Sequence, residues 1–451
     1  MGDPKKTLLM ISYPFPPNVS AGAVRSERFA RYLPEFGWAV DVVTVKPKSD
    51  LLKYEKWSKA LGTDSKIHFT KTLDPWLWLK KKKTSIFFLR VLRSAFMRLF
   101  NFPDHMIFWI PFAVRGGLEV CKKRGIDVIY TTSPPYSSHL SGAILKRILK
   151  KPWVVDYRDP WSFRPWFYRE RWRLLRWLER KLDSMVMKNA DLILTNTEKS
   201  RAQLLKVFTD ISETKVACIT NGWEEFRGVA EYDFANKEFV ILHSGTFYGR
   251  FEPYALLYAL SRWQKGLQPK DVPPMKNVSV VLLGSTDSET KRIVSSLSLE
   301  NVVHILPWVS IEEAKEAMGR AHLLWTSLGT SEEASMSLPS KVFEYIAARR
   351  PIIAFFPEGD ATTLIRNSGT GIVFTCTDLD EVIRVIYLGT VDRENGSIPC
   401  DRPDNKVINE FKIDRIVKKL ACYLEHVYNN KIAAPSVVDE CEVKPRVFRS
   451  C

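Results

Sequence analysis

Residues 337–351, SLPSKVFEYIAARRP, decide how this chain is read. Ser337 and Pro339 precede a run in which Val342, Phe343, Ile346 and Ala347 recur at helical spacing. A helix therefore starts near Ser340, with its first backbone N–H groups aimed outward. Such an end attracts an anion. Lys341 adds a mobile positive charge, and Glu344, a turn further in, is placed to accept hydrogen bonds from vicinal hydroxyls such as those of a ribose or sugar. Pro351 then opens a short apolar strand. The layout of loop, helix start and strand start suggests a phosphate site, although an ordinary capped helix has the same shape.

Working outward, a chain of 451 residues is too long for one core and fits two domains. Short β-rich runs alternate with helical patterns, which predicts α/β layers with parallel strands. Strands are expected over 8–12, 39–44, 128–131, 153–157, 192–195 and 216–219, then over 239–243, 278–283, 302–305, 323–325, 352–355 and 371–374. The second set starts afresh with FVILHSG after a polar stretch without apolar periodicity, so the expected boundary lies between 222 and 238. This gives a first domain over 1–222, a second over 238–403, a helical segment over 404–428 and a loose tail over 429–451.

Seven cysteines without CxxC spacing point to a reduced, cytoplasmic protein. MGDPKKTLLMIS passes from charge straight into a strand, too short an apolar run for a signal peptide. No uninterrupted apolar run approaches the ~20 residues of a membrane-spanning helix. The net charge of +16 is unevenly spread. Between Asp74 and Asp104 lie seven basic residues and no acid: Lys80, Lys81, Lys82, Lys83, Arg90, Arg93 and Arg98. Phe88, Leu92, Ala95 and Leu99 fall opposite the three arginines, and Trp76, Trp78 and Trp109 flank the run. The segment 75–115 thus reads as a basic amphipathic element suited to an anionic membrane surface, or as a helix packed on its own domain. In 163–181, six arginines accompany Trp166, Trp172 and Trp177, while Leu174, Leu178, Leu182 and Met185 read as a core stripe, with membrane contact as the alternative. Nucleic acid is not expected as a partner, because the basic segments carry apolar stripes rather than stacking platforms.

In doubly wound sheets, ligands sit beyond the carboxyl ends of the strands. After the 239–243 strand, the small residues Ser244, Gly245 and Thr246 let backbone approach a diphosphate, and Arg250 can neutralise it with a forked donor set. Arg25, on the first helix, is a phosphate candidate or a solvated arginine. In VVDYRDPW (154–161), Arg158 and Asp159 project from the same edge. Asp159 is a candidate to bind an acceptor hydroxyl and help remove its proton, or an N-cap for a helix starting at Pro160. No metal constellation such as HExxH is present, and neither metal nor cofactor is expected.

Seven pieces carry a family resemblance, in order: YPFPPNVSAGAVR (13–25), TTSPPYSSHL (131–140), VVDYRDPW, TNG (220–222), HSGTFYGR (243–250), ILPWVSIEEAKEAM (305–318) and the opening stretch. Together they resemble retaining nucleotide-sugar glycosyltransferases of the GT-B architecture, family 4 (group 1) type. The resemblance implies an α/β protein of two Rossmann-like domains facing each other across a cleft, the first holding the acceptor and the second the donor. It implies that Gly22 lies in a small-residue turn near the diphosphate sugar, that Trp308 sits where the base packs, and that Ser337, Leu338, Pro339, Ser340 and Glu344 bind the donor, Glu344 at the ribose. The family's turn is followed by an Arg and a Lys; here the Lys is missing, and Lys341 is expected to act with Arg250. Met336 stands where the family has the first of two glutamates, and Glu332 and Glu333 remain open as substitutes. A catalytic-site His of many relatives aligns with Thr132 and Ser133, the expected acceptor side, and His139 reads as a core or surface residue.

The expected protein is a peripheral enzyme at the inner face of the membrane that moves a sugar, with retention, from a nucleotide diphosphate donor to a saccharide or lipid-linked acceptor in glycan assembly. The alternatives are a nucleotide-sugar epimerase or hydrolase on the same fold, and a non-catalytic partner of a glycan assembly complex.

Overall fold

The computed structural model describes residues 6–17, 21–47, 61, 65–73, 102–164, 172–225, 238–245, 254–284, 288–329, 332–375, 378–391 and 402–429. The chain divides into two compact units, Met1–Thr220 with Asp414–Cys451, and Asn221–Ile413.

In the first unit the strands β1 Lys6–Ile11, β2 Trp38–Val45, β3 Lys66–Thr70, β4 Val128–Ser133, β5 Trp153–Tyr157, β6 Leu192–Thr195 and β7 Val216–Cys218 form one sheet. Its order is β3-β2-β1-β4-β5-β6-β7, and its paired strands run parallel. The residues explain the geometry. β2, WAVDVVTV, is buried along all eight positions, as a strand covered on both faces must be. Its one acid, Asp41, is answered by His68 Nε2 at 2.7 Å and Arg124 Nη1 at 3.2 Å. Gly142 lets the helix Ser137–Leu149 press on the sheet, since a Cβ there would lie 2.5 Å from Thr131 Cγ2 and 2.6 Å from Trp153 Nε1.

The second unit repeats the design with β8 Phe239–Ser244, β9 Val278–Leu283, β10 Val303–Leu306, β11 Leu323–Ser327, β12 Ile352–Phe355 and β13 Gly371–Phe374. The order is β10-β9-β8-β11-β12-β13, again parallel. In both sheets the strand order reverses beside the first strand of the unit, between β1 and β4 and between β8 and β11. Those are the switch points where a doubly wound sheet opens a crevice.

Twelve strands fall where the residue pattern places them, and β3 is additional. The expected core stripe of the helix Arg173–Asn189 forms only in part: Leu178 and Leu182 are half-buried, and Leu182 packs on the core. Leu174 and Met185 are exposed at 67 % and 39 %, and the helix instead buries Glu179, Asp183, Val186 and Met187. Of the basic segment 75–115, positions up to 101 lie outside the described residues, as do Arg250, Thr246 and all of the expected tail beyond Asn429. Among the described residues no helix is long and apolar enough to cross a membrane.

Candidate functional site

The opening stretch folds as read. Ser340–Ala348 is a helix with Pro339 at its N-cap, and no side chain caps it. Val342 N–H bonds the Pro339 carbonyl at 3.0 Å, while the amides of Ser340 and Lys341 belong to the first turn, which has no earlier helical carbonyl to bond. Val342, Phe343, Tyr345, Ile346, Ala347 and Ala348 are buried, which leaves Lys341 and Glu344 on the half-buried side.

Lys341 reaches back to the carboxyl end of β8. Its Nζ lies 3.3 Å from Nε2 of His243. His243 Nδ1 donates to the Trp325 carbonyl at 2.9 Å, so Nε2 is left as the acceptor for the ammonium. Burial first, and the Lys341 charge second, push the His243 ring well below its usual range, and it is neutral. Burial likewise lowers Lys341 to about 8. No carboxylate forms an ion pair with this cation among the described residues. Gly245 makes room for it: φ there is +119°, and a Cβ would stand 2.8 Å from Lys341 Nζ. The turn itself is fastened. Ser244 N–H donates to Tyr345 Oη at 2.8 Å, and Gly245 N–H donates to the Leu283 carbonyl at 2.8 Å.

The residues proposed around this helix are not equivalent. Ser337 is exposed and its N–H is spent on the Ala334 carbonyl at 2.9 Å, which leaves its hydroxyl as the group a ligand can meet. Leu338 is 6 % exposed and packs in the core, so only its backbone can serve a ligand. Met336 is buried as well. Trp308, in the loop after β10, is 61 % exposed. Thr246 and Arg250 lie outside the described residues. His243 and Tyr345 were not singled out from the sequence, although His243 opens the HSGTFYGR motif and stands one residue before the turn.

In the first unit, the first turn of the helix Ala21–Tyr32 and the loop after β5 bring Gly22, Arg158 and Asp159 together. A Cβ on Gly22 would fall 1.5 Å from Arg158 Nη1, so any larger residue here displaces that guanidinium. Arg158 Nη2 stands 3.5 Å from Asp159 Oδ2, and the Asp159 side chain is 58 % exposed. Asp159 does not cap a helix, because 161–164 are turn and bend.

Arg25 corrects both of its readings. It is neither solvated nor turned to a phosphate: its Nε and Nη2 grip Asp156 at 3.0 and 2.9 Å, and it donates to the carbonyls of Thr220 and Ile219 at 2.9 and 2.8 Å. Burial alone would raise the Asp156 carboxyl, but the Arg25 guanidinium more than offsets this and holds it below its usual range. Tyr130 and Thr132 hydroxyls complete the cluster at 2.7 and 3.0 Å. Thr132 is thereby committed to Asp156 rather than to an acceptor. Ser133 is wholly buried and its hydroxyl has no hydrogen-bond partner. His139 is a core residue; Nδ1 meets Thr131 Oγ1 at 2.8 Å, and burial lowers the ring to about 3, so it is neutral.

Two family descriptions match the chain in succession: Glycosyltransferase Family 4 over residues 22–224, and Glycosyl transferases group 1 over residues 239–387. The chain belongs to the family 4, group 1 glycosyltransferases, and it is an enzyme of that class. Among solved structures it is similar to the sucrose-phosphate synthase of Thermosynechococcus elongatus, at 14 % identity and a TM-score of 0.66, covering 95 % of this chain and 100 % of that one. It is similar to HepE of Anabaena, solved with UDP and glucose, at 14 % identity and 0.62, covering 93 % and 99 %. It is also similar to WaaG, a glycosyltransferase involved in lipopolysaccharide biosynthesis, at 13 % identity and 0.56, covering 92 % and 99 %. Identities at this level speak for the fold, two Rossmann-like units of the GT-B class. No curated protein sequence matches.

Proposed function

We propose that the enzyme transfers a sugar from a nucleotide diphosphate donor to a saccharide or lipid-linked saccharide acceptor in polysaccharide or glycoconjugate assembly, with retention at the sugar carbon, and that it works as a peripheral protein at the inner face of the membrane. The observation that carries the donor half is the Lys341 ammonium. It rests against the Gly245 turn and the start of the Ser340–Ala348 helix, with a neutral imidazole as its hydrogen-bond partner. A half-buried cation without a carboxylate partner is costly unless an anion completes it. The helix terminus adds its own attraction for phosphate oxygens.

On this reading, Lys341 and the first-turn amides of Ser340 and Lys341 hold the diphosphate and stabilise its charge as it leaves. Arg250 assists. Glu344 accepts from the ribose hydroxyls, Trp308 faces the base, Gly22 leaves room for the donor sugar, Arg158 serves the acceptor side and Asp159 takes the acceptor proton. HepE has been solved with UDP-glucose, which supports a donor of this type. The resemblance to family 4 supports retention, and the similarity to WaaG supports a surface-glycan acceptor.

Titration of the protein with UDP- and GDP-sugars, followed by product analysis with and without acceptor, tests the reading. Glu344→Gln keeps volume and removes the charged acceptor, so donor affinity is expected to fall by about 1.5–3 kcal/mol with the fold intact. Unchanged affinity removes Glu344 from the site, and sugar release in the absence of any acceptor favours a hydrolase.

A further inference from the structure

The helix Arg173–Asn189 turns its acids inward and its tryptophan outward. Glu179 and Asp183 are 1 % and 0 % exposed, whereas Leu174 and Trp177 are 67 % and 56 % exposed and Trp172, at the N-cap, is 72 % exposed. Leu174, Trp177, Lys181 and Met185 recur at helical spacing along a stripe of ~17 Å, opposite both acids. The neighbouring helix Ser137–Leu149 adds Ile144 and Ile148, 41 % and 53 % exposed. Between the two helices runs a groove of about 820 Å³, with Ile144 and Met185 in its walls and Arg147, Lys150 and Lys151 along it. The acid in that groove, Asp191, is already paired with Lys146 at 2.6 Å. Among the described residues Arg147, Lys150, Lys151, Arg173 and Lys181 form no ion pair.

We infer that this face docks on an anionic lipid bilayer. The inference rests on the membrane attachment proposed above and assigns it to a surface. Large apolar side chains displayed together, with tryptophan among them, are uncommon on a protein that meets only water. Their company decides the partner. Unpaired cations beside them suit phosphate-bearing headgroups, Trp172 and Trp177 suit the headgroup depth, and Leu174, Ile144 and Ile148 suit the acyl boundary. A nucleic acid would use the cations and leave the aliphatic residues in water. A protein partner with an acidic apolar face is the alternative that the experiment must separate.

The test uses the full chain and flotation with vesicles of phosphatidylglycerol and phosphatidylcholine. Wild type is expected to float, more strongly as the anionic fraction rises, and less strongly in high salt. Trp172→Ser/Leu174→Ser/Trp177→Ser should lower the bound fraction ~tenfold, because the three most exposed large apolar side chains of the face are then gone. Arg173→Glu/Lys181→Glu should abolish the preference for phosphatidylglycerol. These positions are exposed, so the melting temperature and nucleoside diphosphate binding are expected to stay at wild-type values. Wild type that floats on neither vesicle overturns the membrane reading as a whole. Wild type that floats while the serine variant floats equally well overturns this face alone and moves the attachment elsewhere in the chain. Serine variants that melt well below wild type and float unchanged show the face to be covered by protein.

Discussion

Lys341 and Arg25 are both cations near strand ends, and the structure gives them opposite lives. Burial lowers Lys341 from 10.5 to about 8. Between those two pH values the folded protein binds fewer protons than the unfolded chain, so this group makes stability rise with pH there. The penalty for holding it charged at pH 7 is roughly 1–3 kcal/mol. Lys341→Met should therefore raise the melting temperature while weakening nucleoside diphosphate binding about tenfold or more. In wild type that binding should fade as pH passes about 8, and in the variant it should be flat; calorimetric titration from pH 7 to 9.5 reads both. Arg25→Met predicts the reverse. It strands the buried Asp156 carboxylate, a loss of about 3–5 kcal/mol in a denaturation experiment. A stable variant with lost donor affinity would return Arg25 to the phosphates. Lys341 was legible because helix start, turn and charge lie within one short stretch. Arg25 was not, because its partner Asp156 is 131 positions away and only the pairing of strands brings the two together. His243 was overlooked for a related reason: which nitrogen faces Lys341 depends on the Trp325 carbonyl of another strand.

At the level of elements, the strands that apolar runs announce most plainly are buried along their whole length, as β2, β5, β11 and β12 are. β3, KIHFT, escaped because only Ile67 and Phe69 of its five residues are apolar, while His68 and Thr70 serve polar contacts to β2 and to Trp109. The helix Arg173–Asn189 misled for the opposite reason. Its leucines are spaced as a core stripe, yet its buried side holds two acids, of which Asp183 accepts from Tyr157 Oη at 2.6 Å, Ser162 N–H at 3.0 Å and Ser162 Oγ at 2.6 Å. Burial nevertheless raises Asp183 to about 6. A carboxyl raised above its unfolded value of 3.8 contributes most below that value and loses its contribution as pH climbs through 6, a change of roughly 3 kcal/mol. Asp183→Asn should remove this component, so the stability difference between wild type and variant should shift in the variant's favour from pH 4 to pH 7. A constant difference in guanidinium midpoints would place the Asp183 titration elsewhere.

Across the whole molecule, the first unit is not one continuous run of chain. The segment that returns at Asp414 ends in the helix Ile413–Tyr428. Val417, Leu420 and Leu424 on that helix are fully buried, Tyr428 meets the Trp38 ring edge-on at 6.2 Å, and Glu425 pairs with Lys6 of β1. Deleting 414–451 should therefore unfold the first unit rather than the second, seen as loss of protection from hydrogen exchange in β1 and β2 with the strands around Lys341 still protected.

That return also sets the rules for shuffling this enzyme with its relatives. The second unit is an insert within the first, entered after Thr220 and left at Asp414. Where chain enters and leaves, Trp223 and Lys412 bridge as neighbouring strands, with Trp223 N–H on the Phe411 carbonyl and Ile413 N–H on the Trp223 carbonyl, both at 2.9 Å. A cassette cut at both points carries its own seam intact, whereas a chimera joined at a single midpoint would hand one protein's closing helix to another protein's first sheet.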